Sequence, residues 1–155
     1  MKRVTHIIAG LCLATAVALC MDPSIPRAIA AGFLGSLVNY IIDAIGHRGP
    51  RRTPATHSIL GASLLSLALL SPLIALYIIF SIPALSLGLV LGVWVAALSH
   101  ILFDSLTASG TYPLYPWIRK RFRLARARYD DPVANVLVAG ASILTLIWVI
   151  YARFG

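Results

Sequence analysis

The chain has 155 residues, 59% of them hydrophobic and 12% charged, with a formal net charge of +8. Ordinary soluble domains carry about 25% charged residues, so this composition excludes a water-soluble globular protein and points to an integral-membrane one. In so apolar a chain the positive charge belongs to basic loops facing anionic lipid rather than to a nucleic-acid-binding surface, and the length is that of a single domain, residues 1–155.

Apolar runs extend over residues 4–21, 28–46, 58–80, 84–109 and 133–151. Each approaches the roughly 20 residues an α-helix needs to cross a bilayer core about 30 Å thick. Lipid offers the backbone no hydrogen bonds, so each segment must satisfy its own. The expected fold class is therefore all-α, a polytopic membrane bundle of about five transmembrane helices. The breaks between runs, "MDPSIPR", "GPRRTP", "SIPA" and "TYPLYP", are rich in proline, as chain reversals are. The third break is so short that the helices flanking it should form an antiparallel hairpin, and Pro72 should kink the third helix. Cys12 and Cys20 are too far apart on one helix to bridge and receive no role.

With five crossings, the N-terminus and the 47–57 and 110–131 loops share one face, which carries eleven of the basic residues, against Arg27 and Arg153 on the other. The positive-inside bias places the first face in the cytoplasm of a multi-pass plasma or inner membrane protein. "MKR" ahead of an apolar run also fits a cleaved signal peptide, which would remove His6. Residues 117–129, "WIRKRFRLARARY", interleave six basic residues with Trp117, Ile118, Phe122, Leu124 and Tyr129. This pattern predicts one basic, interfacial amphipathic helix lying on anionic lipid, with a nucleic-acid backbone as the competing ligand.

The polar residues concentrate on that same face. The window "DAIGHRGPRRTPATHS", residues 43–58, holds one Asp, two His and three Arg in a chain without glutamate. His6 opens the first helix, Asp43 and His47 close the second, His57 opens the third, and His100 and Asp104 lie near the end of the fourth. Asp43/His47 and His100/Asp104 are each four apart, so each pair projects from one side of its helix. Taken singly, such a pair is a local hydrogen bond, and His6 and His57 are interface residues. Taken together they have the equipment of a divalent-metal centre, Zn²⁺ by preference and Mn²⁺ or Mg²⁺ with a more oxygen-rich shell. Ionisable groups in membrane helices are costly enough to count as functional candidates. Arg48, Arg51 and Arg52 read first as topological anchors or lipid-headgroup contacts, although guanidinium also binds phosphate bidentately.

"TH" at 5–6, "RRTPATHS" at 51–58 and "HILFDSLTASGTYPLYP" at 100–116 resemble the YdjM-like family of membrane-bound metal-dependent hydrolases, one branch of which is described as LexA-binding inner-membrane proteins. The resemblance is closest to archaeal members of unknown function. Its most specific part is the spacing of His100, Asp104, Thr107 and Gly110, followed by Thr56-His57-Ser58. The family's Pro-Asp-x-Asp-His element has become "NYIIDAIGH", and "HRG" at 47–49 is separated from "THS", so His47 answers to either family histidine.

The leading expectation is a metal-dependent hydrolase at the cytoplasmic interface, acting on a phosphoester or lipid headgroup. Asp43, His47, His57, His100 and Asp104, with His6 nearby, would hold one or two metals that generate a nucleophilic water. Thr56, Ser58 and Thr107 would orient the ligands. Arg51 and Arg52 would hold the substrate phosphate. Asp131 would serve as general base, with Asn135 one turn further on the same face. No Gly-x-Ser-x-Gly elbow or cysteine–histidine neighbourhood supports a side-chain nucleophile. The competing expectation is a membrane scaffold whose basic loops contact anionic lipid or a partner.

Overall fold

The computed structural model describes residues 1–48, 51–82 and 85–155, the side chains of Arg48 and Arg51 excepted. Five helices follow in order: α1 (Arg3–Met21), α2 (Ile25–Gly46), α3 (Ile59–Phe80), α4 (Leu87–Ser105) and α5 (Pro132–Phe154). All five are long and apolar enough to cross a membrane. Short side chains start three of them. Ser58 Oγ accepts from the Gly61 amide at the head of α3, and Ser86 Oγ from the Leu89 amide at the head of α4. Asp131 Oδ1 accepts from the amides of Val133 and Ala134 at the head of α5, where Pro132 occupies the first turn. Each cap satisfies amides that the helix itself leaves unpaired.

Helix α1 lies at the centre, packed on α2, α4 and α5, while α3 leans on α4 and touches α2. Trp94 Nε1 donates to Ser63 Oγ across the α3–α4 pair. Hydrophobicity cannot drive this packing, because lipid tails are as apolar as leucine; close approach over small residues can. A Cβ added to Gly35 would lie 2.6 Å from Ala14 Cβ and 2.7 Å from the Gly10 carbonyl oxygen, and one added to Gly92 would lie 2.6 Å from the Ala14 carbonyl oxygen. Backbones of α1, α2 and α4 therefore meet almost directly. By contrast, α3 fully buries only Ala62, Ser66 and Leu70, and α5 only Asn135, Ser142 and Val149, although Leu65, Leu69, Leu73, Ile74 and Leu146 pack partly buried against the core.

Between α2 and α3 the chain turns through a two-residue antiparallel ladder, β1 (His47–Arg48) and β2 (Arg51–Arg52), in which His47 pairs with Arg52. The predicted helix at 84–109 proves shorter: α4 ends at Ser105, and its predicted start at Ala84 lies outside the described residues.

The predicted amphipathic helix at 117–129 is absent; the segment is irregular and extended. Thr111 and Phe122 exchange amide-to-carbonyl hydrogen bonds, and the amides of Leu124 and Ala127 donate to the carbonyls of Ser105 and Leu106. The physical reason lies in α4, whose last carbonyls need donors. The 122–127 stretch supplies them, and a helix there would have spent those amides on itself. Trp117, Leu124 and Tyr129 remain exposed on the extended segment.

Candidate metal centre

Five chain segments converge on one end of the bundle: the start of α1, the end of α2, the turn before α3, the end of α4 and the start of α5. There Asp43, His57, His100 and Asp104 each offer one ligand atom, all within 4.8 Å of one another. Asp43 is 3% exposed and the other three are completely buried. His57 Nε2 and His100 Nε2 each lie 3.5 Å from Asp104 Oδ2, and His100 Nε2 lies 3.7 Å from Asp43 Oδ1. Metal–ligand distances of about 2.0–2.1 Å in a tetrahedron place neighbouring donors ~3.4 Å apart, so these separations fit a shared divalent ion.

The unpaired atoms carry the same message. His57 Nε2, His100 Nε2, Asp104 Oδ2 and Asp43 Oδ2 are all buried without a hydrogen-bond partner. Leaving a buried polar atom unsatisfied costs about 1–3 kcal/mol, more when it is charged, and several concentrated at one point need a common partner. The donor set, two imidazoles and two carboxylates, is one that Zn²⁺ or Mn²⁺ accepts.

The supporting contacts orient these ligands. His57 Nδ1 lies 3.3 Å from the Thr53 carbonyl oxygen and 3.0 Å from Thr56 Oγ1. A carbonyl can only accept, so Nδ1 carries the proton and Nε2 keeps its lone pair for the centre. The Tyr112 amide donates to the His57 carbonyl and pins the backbone behind it. Burial pushes the His57 imidazole down to about 3, which keeps the ring in its neutral, metal-binding form.

Asp104 is divided between two tasks. Its Oδ1 accepts from Arg52 Nη2 at 2.7 Å, from His6 Nε2 at 2.9 Å and from the Met1 amine at 2.6 Å. Its Oδ2 takes no hydrogen bond and faces the two histidines. Arg52 is held in turn by Thr107 Oγ1 and the Gly110 carbonyl, both of which accept from Nη1. Gly110 occupies the left-handed region at φ 61°, and a Cβ there would lie 2.5 Å from the Phe122 carbonyl oxygen. The spacing of His100, Asp104, Thr107 and Gly110 thus brings together two candidate ligands and two holders of the arginine that pairs with Asp104.

Other candidates from the sequence take different places. His6 lies outside the four-ligand group; it stacks on His100 with ring centroids 3.9 Å apart and orients Asp104. His47 is also outside the group, with Nδ1 3.0 Å from the Asp43 carbonyl oxygen and 3.2 Å from Asp43 Oδ1. Asp131 caps α5, and Ser58 caps α3 while donating to the Ala55 carbonyl. Asn135 Oδ1 accepts from the Lys2 amide and Thr5 Oγ1, tying the start of α1 to α5 beside His6. The Arg51 side chain lies outside the described residues. Thr53 and the orienting role of Arg52 escaped sequence reasoning; a threonine in a "TP" step and an arginine in a basic run give no such signal.

A cavity of about 500 Å³ opens beside the cluster, with Asp43, His47 and Arg52 toward it and Lys2, Arg3 and Tyr129 around it. No curated protein and no solved structure matches the chain. The sequence model of the YdjM inner membrane protein family, however, matches residues 1–154, which takes in every residue of the cluster and all but the last residue of the chain. The chain belongs to the YdjM inner membrane protein family.

Proposed function

We propose that the protein is a membrane-embedded, metal-dependent hydrolase acting on a phosphoester presented at the membrane surface. The observation that carries this reading is the convergence of buried ligand atoms from Asp43, His57, His100 and Asp104 beside an open cavity, with His57 Nε2, His100 Nε2 and Asp104 Oδ2 unpaired. A bound divalent ion would supply Lewis acidity toward a phosphoryl oxygen and lower the pKa of water.

The chain's own groups do the rest. Asp43, His57, His100 and Asp104 would hold the ion, and Arg52 and His6, by donating to Asp104 Oδ1, would leave Oδ2 available to it. His47, outside the ligand group and lining the cavity, is the imidazole left to take a proton from the attacking water. Its Nδ1 rests on Asp43, which leaves Nε2 free to exchange a proton with the cavity. The water oxygen bonds to phosphorus as the ester P–O bond breaks, and the proton held at His47 passes to the departing alkoxide. The asymmetry of eleven basic residues against two supports a cytoplasmic position for the site and the N-terminus.

The test is phosphoester hydrolysis by the detergent-solubilised protein, wild type beside His100→Ala. Expected is turnover by the wild type that chelator abolishes and added metal restores, and none by the variant. Turnover that survives both chelation and His100→Ala would refute the reading.

A further inference from the structure

The basic residues at the start of α1 enter none of the contacts that build the metal centre, yet they border its cavity. Lys2, Arg3 and Arg52 line a volume of about 500 Å³ whose lining holds a single carboxylate, Asp43. Among the described residues, neither the Lys2 nor the Arg3 side chain belongs to an ion pair. Arg3 lies over the Tyr40 ring, 5.5 Å from guanidinium carbon to centroid, which fixes its stem and leaves its donors unspent. The Lys2 backbone is held by Asn135, so the residue cannot drift from the rim. Arg52 keeps its Nε buried and without a partner although its terminal nitrogens are engaged.

We infer that this cavity is a phosphate-binding subsite for a phosphomonoester headgroup, with Lys2 and Arg3 as its specificity-determining residues. The inference rests on the proposed hydrolase reading and narrows its substrate class. Charge decides between ester types. A monoester at neutral pH carries about −1.5 to −2, as phosphorylated side chains do. Arg52 is neutralised by Asp104, so once Asp43 is committed to a cation the cavity keeps the charges of Lys2 and Arg3 with no close ion-pair partner among the described residues. A neutral or zwitterionic headgroup would leave them uncompensated, whereas a terminal phosphate matches both charge and donors. The volume falls within the range of ordinary small-ligand pockets, about 300–1,000 Å³, and accommodates a headgroup with its first carbons. The same chemistry is offered by inorganic phosphate and by a phosphomonoester lipid.

The experiment measures binding of inorganic phosphate, dioctanoyl phosphatidic acid and dioctanoyl phosphatidylcholine to the full-length protein in detergent, with metal content determined on the same samples. Wild type is compared with the Lys2→Gln/Arg3→Gln double variant, which removes charge from the cavity rim without altering a residue of the four-ligand group. Expected is binding of both phosphate probes but not of phosphatidylcholine. The double variant should weaken that binding by at least about tenfold, the worth of one charge-assisted hydrogen bond, with metal content unchanged. Phosphatidic acid binding more tightly than phosphate identifies the lipid as the source; equal affinities identify free phosphate. Wild-type affinity in the double variant, or equal binding of phosphatidylcholine, overturns the subsite. Binding is read whether or not the samples hold metal. A metal-free protein would therefore sink the hydrolase reading separately, while dependence on Lys2 and Arg3 would still decide the subsite.

Discussion

Arg52 Nη2 lies 2.7 Å from Asp104 Oδ1, and this ion pair helps decide which oxygen of Asp104 faces the histidines. With Oδ1 taken by Arg52, His6 and the Met1 amine, Oδ2 is the only oxygen left for a metal. Arg52→Ala should weaken metal binding about 10–100-fold, the usual cost of losing a group that orients a ligand. Arg52→Lys should recover only part of it, because one ammonium cannot span Asp104, Thr107 and Gly110 as a guanidinium fork does. Competition against a chelating dye reads both affinities. Wild-type affinity in Arg52→Ala would mean that Asp104 is oriented by other groups.

His47 and His100 are expected to part company on mutation. His47→Gln should retain the metal and lose about 10²–10⁴ in turnover, the range of a positioned general base. His100→Ala should lose both. Parallel metal analysis and rate measurements separate the two roles, and a metal-free His47→Gln protein would make His47 a ligand instead.

Much of this centre was legible in the sequence. The pairs Asp43/His47 and His100/Asp104 announced two helix ends, and alternation of crossings put His6 and His57 on the same face as both. Division of labour within the cluster was not legible, because spacing along one helix says nothing about distance across several. His47 and His6 have the same credentials as His57 and His100 in one dimension, and only the three-dimensional meeting of α1, α2, α4 and the turn before α3 separates the four-residue group from its neighbours. Asp131 carries a second signal besides its acidity: Asp followed by Pro at the head of an apolar run is a helix start, and its Oδ1 accepts from the amides of Val133 and Ala134. The segment 117–129 failed for the opposite reason. Its amphipathic pattern is real, but the unpaired carbonyls of Ser105 and Leu106 claim its amides through a contact that no local pattern encodes.

The close approach of α1 to α2 gives a stability prediction. Gly35→Val adds atoms where even a Cβ would meet Ala14 Cβ at 2.6 Å, so the helices must separate. Overpacking of this kind costs about 1–3 kcal/mol or more. Thermal unfolding in detergent should show a clear drop for Gly35→Val and little change for Gly140→Val, where an added Cβ meets nothing within 4 Å. Equal effects at both positions would contradict the packing.

Metal removal should destabilise the fold as well as the site, since the end of α2, the turn before α3 and the end of α4 would share one ion. An ion present at 1,000 times its dissociation constant stabilises by about 4 kcal/mol. Chelation should therefore lower the melting temperature of the wild type, and added metal should restore it. His100→Ala should melt at one temperature under both conditions; a metal-dependent shift in that variant would place the ion elsewhere.

The most direct measurement is elemental analysis of the detergent-purified protein, wild type beside His100→Ala and Asp104→Asn. Expected is a near-stoichiometric transition metal in the wild type, with zinc the leading candidate, and a loss in both variants while each remains folded. A wild-type chain free of metal even after incubation with zinc or manganese, or variants that retain a full complement, would contradict a metal centre built from Asp43, His57, His100 and Asp104.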